Sequence, residues 1–344
     1  MNNINSIPEG KLRFDTLDIA KGLGIILVVY GHVARGINSS GIEFKLFEKF
    51  DNAIYAFHMP LFFLISGFLF QKSISKPKKR IFLSKLDTIL YPYLIWSFLQ
   101  ICIQYILSNL INGTVDIIDV YTFFLPRSQF WFLLALFAIM TITLFLTKRH
   151  KNLYLLVSSI LSILLIIIPL NLEFADQITG NILFFNIGIV LSTNRPKFYK
   201  LIENRTLLII NSIIFIVLEI LLFNLKESSI INQLILAISG SILIIQISNK
   251  RFMNINFLKE LGQQSLVIYI LHILVGSGTR VILLKIFKLD NLHVHLFIGT
   301  LFGVFIPFLL YKLGFTKRLS FLFTPPKAKE KDTSTDKNIN EVYQ

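Results

Sequence analysis

Apolar side chains recur along this chain in long blocks, each followed by a short polar stretch. About 20 mostly apolar residues suffice for a helix to cross a bilayer. The blocks predict ten spanning helices, over residues 18–36, 53–71, 88–110, 129–147, 152–170, 178–193, 206–224, 230–248, 263–283 and 294–312. The sixth is short and the ninth is rich in polar residues. The pattern therefore predicts an all-α fold, a polytopic membrane bundle of about ten transmembrane helices. The first block follows acidic residues and lacks a small-residue cleavage site, so it reads as a retained anchor rather than a cleaved leader.

Basic residues fall between the blocks, and their distribution orients the bundle. With the N-terminus in the cytoplasm, the inner segments hold 25 Lys and Arg and the outer loops 8; Lys21, inside the first span, completes the 34. Short cytoplasmic loops carry the excess of Lys and Arg in membrane proteins. The bias alternates with every crossing, which supports an even number of spans and places both termini in the cytoplasm. The net charge of +14 is thus a matter of topology, and nucleic-acid binding is not expected. Residues 1–17 read as a cytoplasmic N-terminal segment, 18–312 as the transmembrane domain, and 313–344 as a basic, largely disordered cytoplasmic tail.

Composition agrees: 54% of the 344 residues are hydrophobic and only 16% charged, against about a quarter charged in soluble domains. The single cysteine, Cys102, excludes an internal disulfide and a cysteine metal site. His32 and His58 could be two metal ligands, but no carboxylate lies at matching depth in the early spans, so no metal site is predicted.

Ionisable side chains inside a bilayer are costly and mark function by default. Lys21 and His32 are 11 residues apart, which sets them within about 20° on one helical stripe and roughly 16 Å apart along the axis. Asp18 joins them within about 60°. His58 lies roughly 7–8 Å below the outer start of span two, and His32 roughly 21 Å above the inner start of span one. In a core of about 30 Å these depths nearly coincide, so the two imidazoles could converge. Pro60, two residues on, frees a carbonyl of the preceding turn for another polar group. Span nine carries Ser265, Tyr269, His272, Gly276 and Arg280 within about 80° of one another. Trp96, Gln100 and Gln104 recur at four-residue spacing on span three, and Arg127, Gln129 and Trp131 stand before span four.

Blander roles compete for several of these. Trp96, Trp131 and Tyr91 suit interfacial or packing aromatics, and Gln100 and Gln104 suit interhelical hydrogen-bond glue. Asp18 and Lys21 could form a snorkelling ion pair, and His58 and His272 could serve structure alone. His150, His293 and His295, in loops or at span edges, read as solvated.

Five stretches, RFDTLDIAKGLGIILVVYGH, FHMPLFFLISGFLF, YPYLIW, SQFWFLLAL and LGQQSLVIYILHILV, follow one another between about residues 13 and 312. Together they resemble the acyltransferase 3 family of integral membrane proteins, whose members acylate surface sugars. The family pattern in the first helix sets a basic residue, usually arginine, then ten residues, then a histidine. Here Lys21 holds the basic position, so a phosphate contact survives but arginine's bidentate fork does not. The resemblance implies an acyltransferase of a bacterial cytoplasmic (inner) membrane. It would take an acyl group from acyl-CoA, typically acetyl-CoA, to a glycan or lipid-linked sugar such as O-antigen or capsule.

It further implies cofactor-binding roles for Lys21, Asp18 and Ser66 and catalytic roles for His32, His58 and His272, with His32 as a neutral base taking the acceptor's proton. Tyr269, Arg280, Trp131 and Gln129 would meet substrate. A transporter or flippase for glycan or lipid precursors is the alternative, for which inverted repeats with broken helices are the hallmark; none is visible. A glycan polymerase would favour a large outer loop, and succinyl could replace acetyl.

Overall fold

The computed structural model describes residues 9–44, 46–108, 116–147, 150–224 and 229–326. Among them every regular element is helical: α1 (Glu9–Asn38), α2 (Phe47–Phe70), α3 (Lys78–Lys85), α4 (Tyr91–Ile106), α5 (Ile117–Tyr121), α6 (Trp131–Leu146), α7 (Lys151–Ile167), α8 (Glu173–Thr193), α9 (Arg195–Glu203), α10 (Arg205–Asn224), α11 (Ile230–Ser248), α12 (Asn256–Gln263), α13 (Ser265–Val281), α14 (Leu292–Lys312) and α15 (Phe315–Arg318). A π-turn at Leu86–Leu90 joins α3 to α4, and another at Ile282–Ile286 extends α13. Among the described residues, nine helices are long and apolar enough to cross a membrane; the tenth, α7, is shorter. The bundle is all-α and polytopic, as the hydropathy pattern predicts.

Two lengths differ from expectation. The sixth span is not short: α8 has 21 residues, because a polar first turn with Glu173 and Asp176 is helical. The Asp176 carboxylate pins the entry, accepting from the Leu170 and Leu172 backbone N–H groups at 2.9 and 3.1 Å, which ties the chain before the helix to its first turn. The fifth span is the short one: α7 has 17 residues, whereas the helical turns before α4 and α6 extend those spans to Lys78–Ile106 and Ser128–Leu146.

α1 and α2 sit at the centre. α1 packs against α2, α11, α12, α13 and α14, and α2 against α8 and α11. Without a hydrophobic drive between helices in lipid, close backbone approach is the main source of packing, and small residues permit it. A Cβ on Gly67 would overlap the Phe185 carbonyl, and one on Gly188 the Leu64 carbonyl, so α2 and α8 meet backbone to backbone. Gly22 and Gly262 seat α12 on α1 in the same way. α10 is peripheral and tethered by Asn211, whose Nδ2 donates to Gln246 Oε1 at 3.0 Å and the Ser239 carbonyl at 3.1 Å.

The chain after α5 folds back along α4. Tyr93 donates to the Phe124 carbonyl at 2.6 Å, and the Phe98 and Phe123 rings stand 5.4 Å apart. The helical turn Ser128–Phe130 follows, with Gln129 and Phe130 buried, while Phe124 and Leu125 before it are exposed. Residues assigned to the tail by composition are ordered as far as Pro326: Tyr91 and Trp96 donate to the Phe321 and Leu322 carbonyls at 2.6 and 2.8 Å. Residues 327–344, the rest of that tail, lie outside the described residues.

Candidate functional site

Three helices bring imidazoles together near the Asn38 end of α1. His32 on α1 faces His272 on α13, with ring centroids 5.0 Å apart and planes inclined at 58°. Between them lies a small cavity of about 20 Å³, lined also by Val33, Gly276, Arg280, His295 and Gly299. That volume suits one water-sized group. Glycine makes it possible: a Cβ on Gly299 would come within 2.8 Å of Val33 Cγ1, and one on Gly303 within 2.6 Å of Val29 Cγ1. α14 thus closes the cavity side by lying directly on the valines of α1.

The tautomer of His272 follows from its neighbours. Its Nδ1 lies 2.6 Å from the Tyr269 carbonyl, which can only accept, so Nδ1 carries the proton. Nε2 is then the lone-pair nitrogen, and it is buried with no hydrogen-bond partner. A buried acceptor left unpaired is costly and asks for an explanation.

His58 lies elsewhere. It is 1% exposed, donates from Nδ1 to the Ile54 carbonyl at 2.7 Å, and meets the Tyr55 ring edge-on at 4.7 Å. It does not line the cavity; the ring that meets His32 is His272. Near Pro60, Ser241 Oγ donates to the Phe57 carbonyl at 3.3 Å. His295, expected to be solvated, is 1% exposed and lines the cavity. One turn inside the Asn291 cap it points into the bundle, and its Nε2 donates to the Leu289 carbonyl at 2.8 Å. His293 and His150 are exposed.

The substrate candidates divide. Arg280 lines the cavity with its guanidinium against Gly36. Tyr269 is buried and donates its hydroxyl to the Gln129 carbonyl. The Gln129 side chain forms a buried amide pair with Gln100, its Nε2 donating to Gln100 Oε1 at 2.7 Å. Trp131 packs 6.2 Å from Phe63. Tyr269 and Gln129 hold the segment before α6 against α13 and α4, Trp131 packs on α2, and none of the three lines the cavity.

At the other end of α1, Lys21 pairs with Asp18 at 2.7 Å, and Gln263 of α12 donates to the second Asp18 oxygen at 3.1 Å. Lys259 pairs with Asp15 at 2.6 Å. An ammonium has three donors, so Lys21 keeps donors beyond its intrahelical partner. Ser66 is half-buried on α2 and, among the described residues, makes no hydrogen bond to Lys21 or Asp18. A separate open groove of about 1200 Å³ is lined by Lys79, Arg80, Ser84, Thr88, Ser320 and Thr324, among others. Among the described residues no three His, Cys, Asp or Glu gather as metal ligands would.

Sequence reasoning missed a clamp. Arg35, one turn past His32, grips Asp51 with Nε and Nη2, each 2.8 Å from a carboxylate oxygen, and its guanidinium lies 3.6 Å over the Tyr55 ring. This ties α1 to α2 beside His58. The signal available was the three-residue step from His32, a single helical turn. Outside the spans, the Asp116 backbone N–H and then Arg127 hold the Asp119 carboxyl below its usual range.

Two known proteins are similar to parts of this chain. Nodulation protein NolL of Sinorhizobium fredii (strain NBRC 101917 / NGR234) is 27% identical over 183 residues, 52% of this chain and 48% of that protein. Nodulation protein NolL of Mesorhizobium japonicum (strain LMG 29417 / CECT 9101 / MAFF 303099) is 40% identical over 65 residues, 19% of this chain and 17% of that protein. The match thus spans about half the length of the first relative and less of the second. No solved structure matches. The model of the acyltransferase 3 family, an acyltransferase domain, matches residues 14–312, a stretch that holds α1, α13 and the histidines between them. The chain belongs to the acyltransferase 3 family.

Proposed function

We propose that this protein is a membrane O-acyltransferase that moves an acyl group, acetyl in the first instance, from acyl-CoA to a hydroxyl of a cell-surface or lipid-linked glycan such as O-antigen or capsule. The observation that carries the reading is the unpartnered, buried Nε2 of His272, set across a hydroxyl-sized cavity from His32. A lone pair kept dry and unpaired is what a general base needs before substrate arrives.

In this reading the acceptor hydroxyl enters between the two imidazoles. Its oxygen attacks the thioester carbonyl as its proton passes to the His32–His272 pair. The tetrahedral intermediate collapses with cleavage of the carbon–sulfur bond, and the thiolate takes the proton back as it leaves. Donor phosphates are held at the far end, by Lys21 and by the basic groove of Lys79 and Arg80. The roughly 16 Å between Lys21 and His32 along α1 is the distance the donor must span. Residues 18–312 form the acyltransferase domain, flanked by segments 1–17 and 313–344 with both termini cytoplasmic, in a bacterial inner membrane. His58 steadies the α1–α2 wall through Tyr55 and Arg35.

The test is transfer of labelled acetyl from acetyl-CoA to surface polysaccharide in cells expressing the wild-type protein or His32→Ala. We expect transfer by the wild type and near-complete loss in a variant inserted at normal level. Undiminished transfer by that variant removes the catalytic assignment, and no transfer by the wild type removes the function.

A further inference from the structure

Among the described residues, several cations are held in ion pairs: Lys21–Asp18, Arg35–Asp51, Arg127–Asp119, Lys259–Asp15 and Lys312–Glu260. Arg280 is in none of them. Its cavity is lined by His32, His272 and His295, by Ser277, by glycines and by apolar side chains, with no acid. It is half-buried, and it does not cap a helix end, since the π-turn carries the helix on to Ile286. A partly desolvated guanidinium is normally paired, because an uncompensated charge away from water is destabilising.

We propose that Arg280 is the recognition site for an anionic group on the acceptor, a phosphate or carboxylate carried close to the hydroxyl that is acylated. This rests on the acyltransferase reading and specifies its acceptor class. The planar fork of arginine suits both oxyanions bidentately. The anion would sit at the cavity mouth, beside Gly36, while the neighbouring hydroxyl reaches the imidazoles. Arg35 is already neutralised by Asp51, which it holds through Nε and Nη2.

The glycine beside the guanidinium offers a second handle. A Cβ on Gly36 would overlap Arg280 Nη1. Gly36→Ala therefore keeps the charge and displaces it, at the far end of a flexible side chain.

The experiment uses purified full-length protein in detergent with acetyl-CoA and matched acceptors: a neutral oligosaccharide, its phosphorylated form and its uronic-acid form. Thermal stabilisation by methyl phosphate and by acetate is measured in parallel, without donor. For the wild type we expect kcat/KM to favour at least one anionic acceptor. In Arg280→Gln that preference should shrink by about tenfold to a hundredfold, through KM for the acceptor. Gly36→Ala should shrink it in the same direction, Arg280→Lys should retain part of it, and anion-dependent stabilisation should vanish in Arg280→Gln. The phosphate and uronate arms identify the source of the charge. Equal loss of kcat on neutral and anionic acceptors would overturn the proposal, assigning Arg280 to the thioester oxyanion. A change in KM for acetyl-CoA alone would overturn it too, as would stabilisation by anions that survives Arg280→Gln. Failure of the acyltransferase reading would show separately, as no transfer to any acceptor while the stabilisation by anions persists.

Discussion

If His32 and His272 handle one proton together, their substitutions must be strongly non-additive. General-base catalysis contributes about 10²–10⁴ in rate, or roughly 2.7–5.4 kcal/mol at about 1.36 kcal/mol per factor of ten. His272→Ala removes a ring nitrogen that is buried and unpartnered at the cavity and the hydrogen bond to the Tyr269 carbonyl. The latter costs about 1 kcal/mol of stability, visible as a modest fall in melting temperature. His32→Ala removes the ring 5.0 Å away. Each single variant should therefore lose about 10²–10⁴ of the transfer rate while still melting cooperatively. Independent roles would multiply, so the double variant would lose about 10⁴–10⁸; a shared role leaves it no worse than the weaker single variant. The assay is acyl transfer from labelled acetyl-CoA by purified protein, with initial rates at saturating donor and acceptor. Multiplicative losses, or a His272→Ala enzyme retaining a third of its rate, would refute the shared proton.

Lys21→Ala should raise KM for acyl-CoA more than Lys21→Arg does, because both cations can meet a phosphate; equal effects would argue against contact there. The Asp119 carboxyl has a lowered folded-state pKa, so its contribution to anchoring the segment before α6 is present above the ordinary carboxylate range. It is lost as pH falls through the lowered value. Hydrogen exchange over residues 116–127 should accordingly rise in acid in the wild type. In Asp119→Asn it should be raised at neutral pH and insensitive to acidification.

Positions along each helix axis were legible in the sequence; positions around the axes were not. Crossing a bilayer imposes length and polarity, so the spans and the apolar blocks coincide. The Asp18–Lys21 pair and the Lys21–His32 stripe follow from spacing within one helix. His32 and His58 share a depth, but depth does not say which face of α2 meets α1. The partner of His32 came from α13, which is remote in sequence. Arg35 lies at the very end of the first predicted span, and its acid, Asp51, lies 16 residues away across a turn. Gln129 and Trp131 sit where a chain entering from outside should meet substrate, yet the segment folds inward and spends them on Gln100 and Phe63. Hydropathy likewise misread α8, since a polar first turn is helix that no apolar window detects.

The smallness of the cavity allows function to be separated from fold at one position. Gly276 lines it, and a Cβ built there would stand 3.4 Å from Val33 Cγ2, an ordinary van der Waals contact. Gly276→Ala should therefore insert and melt as the wild type does. The added methyl nevertheless occupies space in a cavity of about 20 Å³, comparable to one water-sized group. The acceptor oxygen and the thioester carbon must approach each other there, and a misplacement of about 1 Å can cost on the order of 10²-fold in rate. Transfer by Gly276→Ala should fall by that order with its melting temperature unchanged. At Gly299 the corresponding methyl meets Val33 Cγ1 at 2.8 Å, so Gly299→Ala should lose stability as well as activity. If Gly276→Ala transfers acetyl at the wild-type rate, the chemistry does not occur between these two histidines.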